Sequence, residues 1–190
     1  MTILIVGLGN PGEKFEKTWH NLGKETLENL AKNSNFSSFK ENKKKKFSFS
    51  QKEVFGQKII LAKSLTYMNE SGEAVKNLLS FLKLKPKNLW LIHDDLDIPL
   101  GKLKISKNRS SAGHKGVESI INYLGTKNFV RFRVGIGGKS ALAPYRNLVS
   151  GTEVLKKSSQ KKLNQAIKLA TGALIFAVQN NLEKAMQRFN

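Results

Sequence analysis

The chain carries only three histidines, at 20, 93 and 114, and only three aspartates, at 94, 95 and 97. Each histidine falls in a Gly-rich or polar sequence context: T-W-H20-N-L-G, L-I-H93-D-D-L-D and S-A-G-H114-K-G. Such contexts predict loops, where side chains reach a cleft more often than they fill a core. A histidine beside a carboxylate can activate water near neutral pH, because the carboxylate fixes the imidazole tautomer and stabilises its charged form. His20 and Asp94 are the candidate pair; the bland alternative for His20 is a helix-start residue that only hydrogen-bonds the backbone.

Two asparagines favour the chemical reading. Asn10 lies in the turn after the first apolar run, and Asn69 follows Tyr67-Met68 at the entry to a helix. A carboxamide donates and accepts hydrogen bonds without ionising, which suits gripping a peptide group or steadying a developing oxyanion. Helix capping is the competing role for Asn69, and also the better reading of Ser71.

Two other chemistries have to be weighed. G7-L8-G9-N10-P11-G12 matches a dinucleotide fingerprint, but Pro11-Gly12 is a turn signal and helical periodicity waits until Leu22. A pyrophosphate needs the helix to open inside the glycine loop, and no acidic residue closes a second strand at the required distance. A metal site from His93, Asp95, Asp97 and His20 or His114 is the second alternative, with a weakly specific H-x-D-x-D spacing.

The elements that must position these residues follow from periodicity. TILIVGL at 2–8 predicts a strand buried on both faces. Leu22, Leu27, Leu30 and Ala31 recur at helical spacing, and the polar stretch 33–46 ends in a lysine-rich solvated turn at 43–46. Phe47 and Phe49 alternating with serines, then KIILAK at 58–63, predict two strands, readable as a hairpin. A helix is expected from Ser71, a strand over 88–94, a strand over 101–106, a helix around 117–124 and an alternating strand over 130–136. A long C-terminal helix begins near Ser158. The Gly- and Pro-bearing segment 138–152 reads either as a lid or as an ordinary connecting loop. The expectation is one α/β domain over 1–190, a mixed, largely parallel twisted sheet with helices on both faces, and sites at strand ends.

Composition bounds the class of function. There is no cysteine, which excludes disulfides and thiolate chemistry and fits a reducing cytosol. The opening MTILIVGLGNPG has no basic leader, and its apolar part is too short for a membrane span, so a cytoplasmic protein with no membrane partner is expected. A formal charge of +19 makes a polyanion such as RNA the natural partner. Because most of those bases are lysine, a lysine-rich proteome would produce part of the same skew.

Six motifs then agree in order and spacing with one family: V-G-L-G-N-P-G at 6–12, T-W-H-N-L-G at 18–23, Y-M-N-E-S-G at 67–72, H-D-D-L-D-I-P-L-G at 93–101, G-H-K-G-V-E-S-I-I at 113–121 and R-V-G-I-G at 133–137. The chain resembles the bacterial peptidyl-tRNA hydrolases from residue 3 to about residue 137, and more weakly beyond. The resemblance implies hydrolysis of the ester joining peptide to tRNA, with His20 as general base held by Asp94. It implies a substrate site of Asn10, Phe15, Met68, Asn69, His114 and Lys115, with peptidyl-tRNA as partner, a monomer, and no metal or cofactor.

Three departures stand out. The family has Asn after the histidine of G-H-N-G, where this chain has Lys115, and Arg before the catalytic histidine, where it has Trp19. Of the family's two phosphate-gripping basic residues, Arg133 matches one, while the other aligns with Ser106; Lys104, Lys107 and Arg109 are the candidate substitutes. Lys115 motivates the rival expectation, a catalytically weakened RNA-binding relative, as plastid splicing factors that look like this family are.

Overall fold

The computed structural model of the chain describes residues 1–137 and 157–190. Among them, seven strands form one sheet: β1 (Thr2–Gly7), β2 (Lys40–Asn42), β3 (Phe47–Val54), β4 (Gln57–Ser64), β5 (Leu89–Pro99), β6 (Leu103–Lys107) and β7 (Val130–Gly137). Five helices flank it: α1 (Leu22–Asn33), α2 (Ser71–Leu82), α3 (Lys115–Leu124), α4 (Lys157–Gln179) and α5 (Leu182–Phe189). The strand order is β2-β3-β4-β1-β5-β7-β6. The central strands β4, β1, β5 and β7 run parallel, and β2, β3 and β6 join antiparallel at the edges. This is the expected mixed α/β sheet, with the hairpin of β3 and β4 included.

Helices cover both faces, which explains why β1 is apolar at every position from Ile3 to Val6 rather than at alternate ones. Ile3 and Ile5 face a core completed by α1, α4 and α5, whereas Leu4 and Val6 face α2 and α3. The end of β1 lies beside the middle of β5, with Gly7 opposite Ile92, so the loop after β1 meets the β5 segment that carries His93 and Asp94.

Several expectations need correction. β5 continues five residues past Asp94, through Pro99; its partner β7 stays in register to Asp95, then shifts before Pro99 pairs with Gly137. His93 lies within β5, inside the strand expected over 88–94, but is fully buried rather than facing a cleft. β2 is a short, polar edge strand within the stretch read as loop, too short for its pattern to register. Ser71 does not cap α2: the capping position is Glu70, and the buried Ser71 Oγ has no hydrogen-bond partner. The C-terminal helix starts at Lys157 but stops at Gln179; Asn181 then caps α5 by accepting the Lys184 N–H at 2.8 Å. The segment 138–152 falls outside the described residues.

Candidate active site

β1 ends at Gly7, and the chain then crosses the top of β5, where Leu8 N–H donates to Ile92 O. Two short helical turns, Glu13–Phe15 and Trp19–Asn21, intervene before α1 opens at Leu22. No helix opens inside the glycine loop, so the dinucleotide geometry is absent here. The first turn of α1 sits directly on the β1–β5 edge: a Cβ on Gly23 would fall 2.5 Å from Ile92 O and 2.6 Å from Leu8 N. Only glycine permits that approach.

His20 is held at this edge by its neighbour. Trp19, which replaces the family arginine, is fully buried in the α1-side core. Truncating a buried aromatic costs about 3–5 kcal/mol, so the turn carrying His20 is firmly anchored. The His20 ring, half-buried, points across to the end of β5.

There Asp94, 2 % exposed, receives two imidazoles. His20 Nδ1 lies 2.9 Å from Oδ2 and 3.1 Å from Oδ1, and His114 Nε2 lies 3.1 Å from Oδ1. His114 occupies the capping position of α3, and its Nδ1 accepts the Val117 N–H at 3.3 Å. With Nδ1 accepting, the proton of neutral His114 must sit on Nε2, where it donates to Asp94; this tautomer is assigned from the partners. His20 donates from Nδ1, leaving its Nε2 lone pair for other chemistry.

The charges follow from these contacts. Burial alone would raise the Asp94 pKa, but the two imidazoles outweigh it and hold the carboxyl well below the usual carboxylate range. Burial pulls His20 down, yet the Asp94 charge and hydrogen bond reverse this, leaving its pKa raised; the Lys115 ammonium opposes the rise. His93 is pushed far below 6.5 by burial, then by His114 and Arg131, and so is neutral. Its Nδ1 donates to Asp94 O at 2.7 Å, and its ring meets His114 edge-on at 4.7 Å.

His20, Asp94 and His114 are close enough together to suggest a metal site, their candidate ligand atoms lying within 4.8 Å of one another. Asp94 already accepts from both imidazoles at these nitrogens, so a metal here would have to displace two hydrogen bonds and their protons. The ligand set weighed from sequence is not assembled, since Asp95 is bound to Arg133 instead.

The asparagines take distinct places. Asn10 is clamped by Asn21, whose Oδ1 accepts the Asn10 N–H at 2.7 Å and whose Nδ2 donates to Asn10 O at 3.1 Å. Asn10 Oδ1 in turn accepts the Met68 N–H at 2.8 Å. That leaves the Asn10 NH2 as the group able to donate to a ligand carbonyl. Met68 is buried, while Asn69 is exposed in the next position. Phe15 and Tyr67 meet edge-on at 6.2 Å beside them. Asn21 was not among the expected residues; an asparagine directly after the candidate base was the signal available.

Arg133 stands further along the sheet. Its Nε donates to Asp95 Oδ2 at 2.7 Å. The β6–β7 register sets Lys104 opposite Arg133, and Ser106 opposite Arg131. Lys107 faces the other side of β6, and Arg109 lies beyond the strand. Arg131 corrects the alternation expected of β7: it is 1 % exposed, its pKa drawn down to about 10 by burial and by Arg133.

Comparison with known proteins settles the family. The sequence profile of the peptidyl-tRNA hydrolases matches residues 4–190. The chain belongs to the peptidyl-tRNA hydrolase family. It is 40% identical to the peptidyl-tRNA hydrolase of Aquifex aeolicus over 196 residues, covering 98% of this chain and 95% of that protein. It is 41% identical to that of Thermodesulfovibrio yellowstonii over 191 residues, covering 99% and 98%. The crystal structure of the Acinetobacter baumannii peptidyl-tRNA hydrolase superposes with a TM-score of 0.87 at 29% identity, covering 100% of this chain and 94% of that one. A cleft of about 950 Å³ opens on the α1 side of Asn10 and Asn21, and neither His20 nor Asp94 lines it.

Proposed function

We propose that the chain, as one domain, hydrolyses the ester between peptide and tRNA in peptidyl-tRNA by activating water at His20 Nε2. The observation that carries this mechanism is the single buried carboxylate receiving both His20 and His114, which leaves one imidazole lone pair directed outward. His20 takes the proton of water as the oxygen attacks the ester carbonyl; the bond between the carbonyl carbon and the ribose oxygen breaks, and the proton passes to the departing ribose oxygen. Asn10 NH2 donates to the substrate carbonyl, with Asn69 beside it, and stabilises charge that develops on oxygen. Esters are activated enough for this chemistry to proceed without a covalent enzyme intermediate.

On the tRNA side, Arg133 and Lys104 are the phosphate-gripping pair. They are cross-strand neighbours, about 5 Å apart at Cβ, and Asp95 fixes the Arg133 Nε so that the rest of the guanidinium stays available. Ser106 has no charge to offer, and Lys107 and Arg109 do not share that face. The +19 charge supports RNA attraction and, through self-repulsion, a monomeric state.

The rival, an RNA-binding relative without activity, is not favoured: Asp94 receives both His20 and His114, and Asn21 separately clamps Asn10, two arrangements that pure binding does not require. The test compares release of an N-acetylated amino acid and of the free amino acid from tRNA, with wild type and His20→Ala, with and without chelator. Selective, His20-dependent, chelator-resistant cleavage is expected; tRNA binding without cleavage contradicts the proposal.

A further inference from the structure

α2 begins without a cap of its own. Its capping position is Glu70, whose side chain bonds none of the first-turn amides, and the hydroxyl of Ser71, the first helical residue, has no hydrogen-bond partner. The first N–H groups of a helix need acceptors from outside it. α3 supplies one: the buried Ser119 Oγ accepts the Gly72 N–H at 3.0 Å. Gly72 is the second residue of the helix, one of the two positions whose N–H a capping side chain ordinarily takes. Ser119 thus caps α2 from the neighbouring helix.

The two helices meet here too closely for a side chain at 72. A Cβ on Gly72 would run into Ser119 O, and one on Gly116 would run into Met68 Sδ. Gly116 and Ser119 are spaced to lie on one face of α3. The same helix is capped by His114, which donates to Asp94. α3 therefore touches both halves of the proposed site. At its start it holds the carboxylate that orients His20; further along it holds Met68 and the first turn of α2.

The asparagine side of the site hangs on that second contact. Asn69 sits in the short turn Met68–Glu70, which runs directly into α2 and is closed by the Ser71 N–H donating to Met68 O. The Met68 N–H donates to Asn10 Oδ1 and so leaves the Asn10 NH2 free for a ligand. Gly72, next in the chain, is where this turn is tied to α3.

We propose that Ser119 is a positioning residue for the reaction. By capping α2 at Gly72 it sets the Met68–Asn69 turn, and through the Met68 N–H the Asn10 amide, at a working distance from His20 and Asp94. This rests on the hydrolase activity proposed above. Ser119 acts only through the backbone of α2.

The experiment compares wild type with Ser119→Ala, Gly72→Ala and Leu79→Val, each under conditions where urea melts show it fully folded. Leu79 is buried in the last turn of α2, so its substitution loosens the end of the helix away from the site. With N-acetyl-aminoacyl-tRNA, kcat should fall roughly tenfold in Ser119→Ala, because a displacement near 1 Å at a reacting group costs about 100-fold and one lost hydrogen bond moves the turn by less. KM should hold, and so should the acidic limb of the kcat profile, since the contacts among His20, Asp94 and His114 are untouched. Gly72→Ala wedges the helices apart with the hydroxyl still present and should lose at least as much. Leu79→Val should lose stability and keep kcat. Wild-type kcat in Ser119→Ala, or an equal loss in Leu79→Val, overturns the proposal; so does a shifted acidic limb, which puts the effect at the carboxylate. NMR of isotope-labelled protein reads the geometry without turnover: the Asn10 side-chain NH2 and Met68 N–H resonances should shift in Ser119→Ala and stay in place in Leu79→Val. Unchanged resonances in Ser119→Ala overturn the proposal. Shifted ones support it even in a protein that cleaves nothing, an outcome that defeats the hydrolase reading alone.

Discussion

The imidazole of His114 accepts the backbone N–H of Val117 at 3.3 Å, and this one contact makes a helix cap determine a proton position at the proposed catalytic carboxylate. Because Nδ1 is the acceptor, Nε2 carries the proton given to Asp94. His114 thus fixes Asp94 alongside His20, whose ring it meets edge-on at 5.5 Å. His114→Ala should lower kcat and also cost about 1 kcal/mol of stability through the lost cap. His114→Asn, which can still cap α3, should recover the stability in urea melts while kcat stays low. Normal kcat in a folded His114→Ala protein would remove it from the mechanism.

The ammonium of Lys115 opposes the rise in the His20 pKa that Asp94 causes. Only neutral His20 can accept a proton from water, so kcat should fall on the acidic side as His20 becomes protonated. Removing the cation in Lys115→Met leaves His20 easier to protonate. The acidic limb of the kcat profile should then move to higher pH, and in Lys115→Arg it should not move. A Lys115→Met profile that shifts to lower pH would contradict this electrostatic role.

Asn21 grips both backbone groups of Asn10. Asn21→Ala frees the Asn10 loop, and a displacement near 1 Å at a reacting group costs roughly 10- to 100-fold in rate. The loss should appear in single-turnover kcat with little change in tRNA affinity.

Much of this arrangement was legible in the sequence. The two-sided burial of β1 and the late start of α1 at Leu22 both follow from local periodicity, and the pairing of His20 with Asp94 followed from their chemistry. What escaped was set by tertiary contact. The burial of His93 escaped because its polar sequence context suggested an open cleft edge, yet β7 pairs with β5 through Asp95 and closes over it. Arg131 looked exposed by alternation but is buried, with Arg133 and Asp95 as its charged neighbours. Neither the capping role of His114 nor the clamp of Asn21 leaves a period or a composition signal, since each depends on a single side chain meeting a backbone group brought close by the fold.

His93 ties stability to pH. Its folded pKa lies below its ordinary value of 6.5, so unfolding exposes a group that binds a proton more readily. Stability from this residue is therefore present above pH 6.5 and is lost as pH falls, by up to about 1.4 kcal/mol per pH unit. His93→Asn should make the urea-derived stability less dependent on pH between 6.5 and 5 than in wild type. An unchanged slope would mean that His93 is charged in the folded protein.

Arg133→Ala should raise KM about tenfold with kcat largely retained, and reduce the slope of log affinity against log salt by about 0.7–0.9 as one phosphate contact is lost. Lys104→Ala should behave alike, while Lys107→Ala should bind tRNA almost normally.

The central claim is that Asp94 holds His20 as the base, and the most direct measurement of it is the single-turnover cleavage of N-acetyl-aminoacyl-tRNA by Asp94→Asn, with the fold verified by circular dichroism. An asparagine of the same shape cannot hold both imidazoles as N–H donors to a charge, so the rate should drop at least about 100-fold while tRNA binding is retained. A folded Asp94→Asn protein cleaving at the wild-type rate would contradict the account.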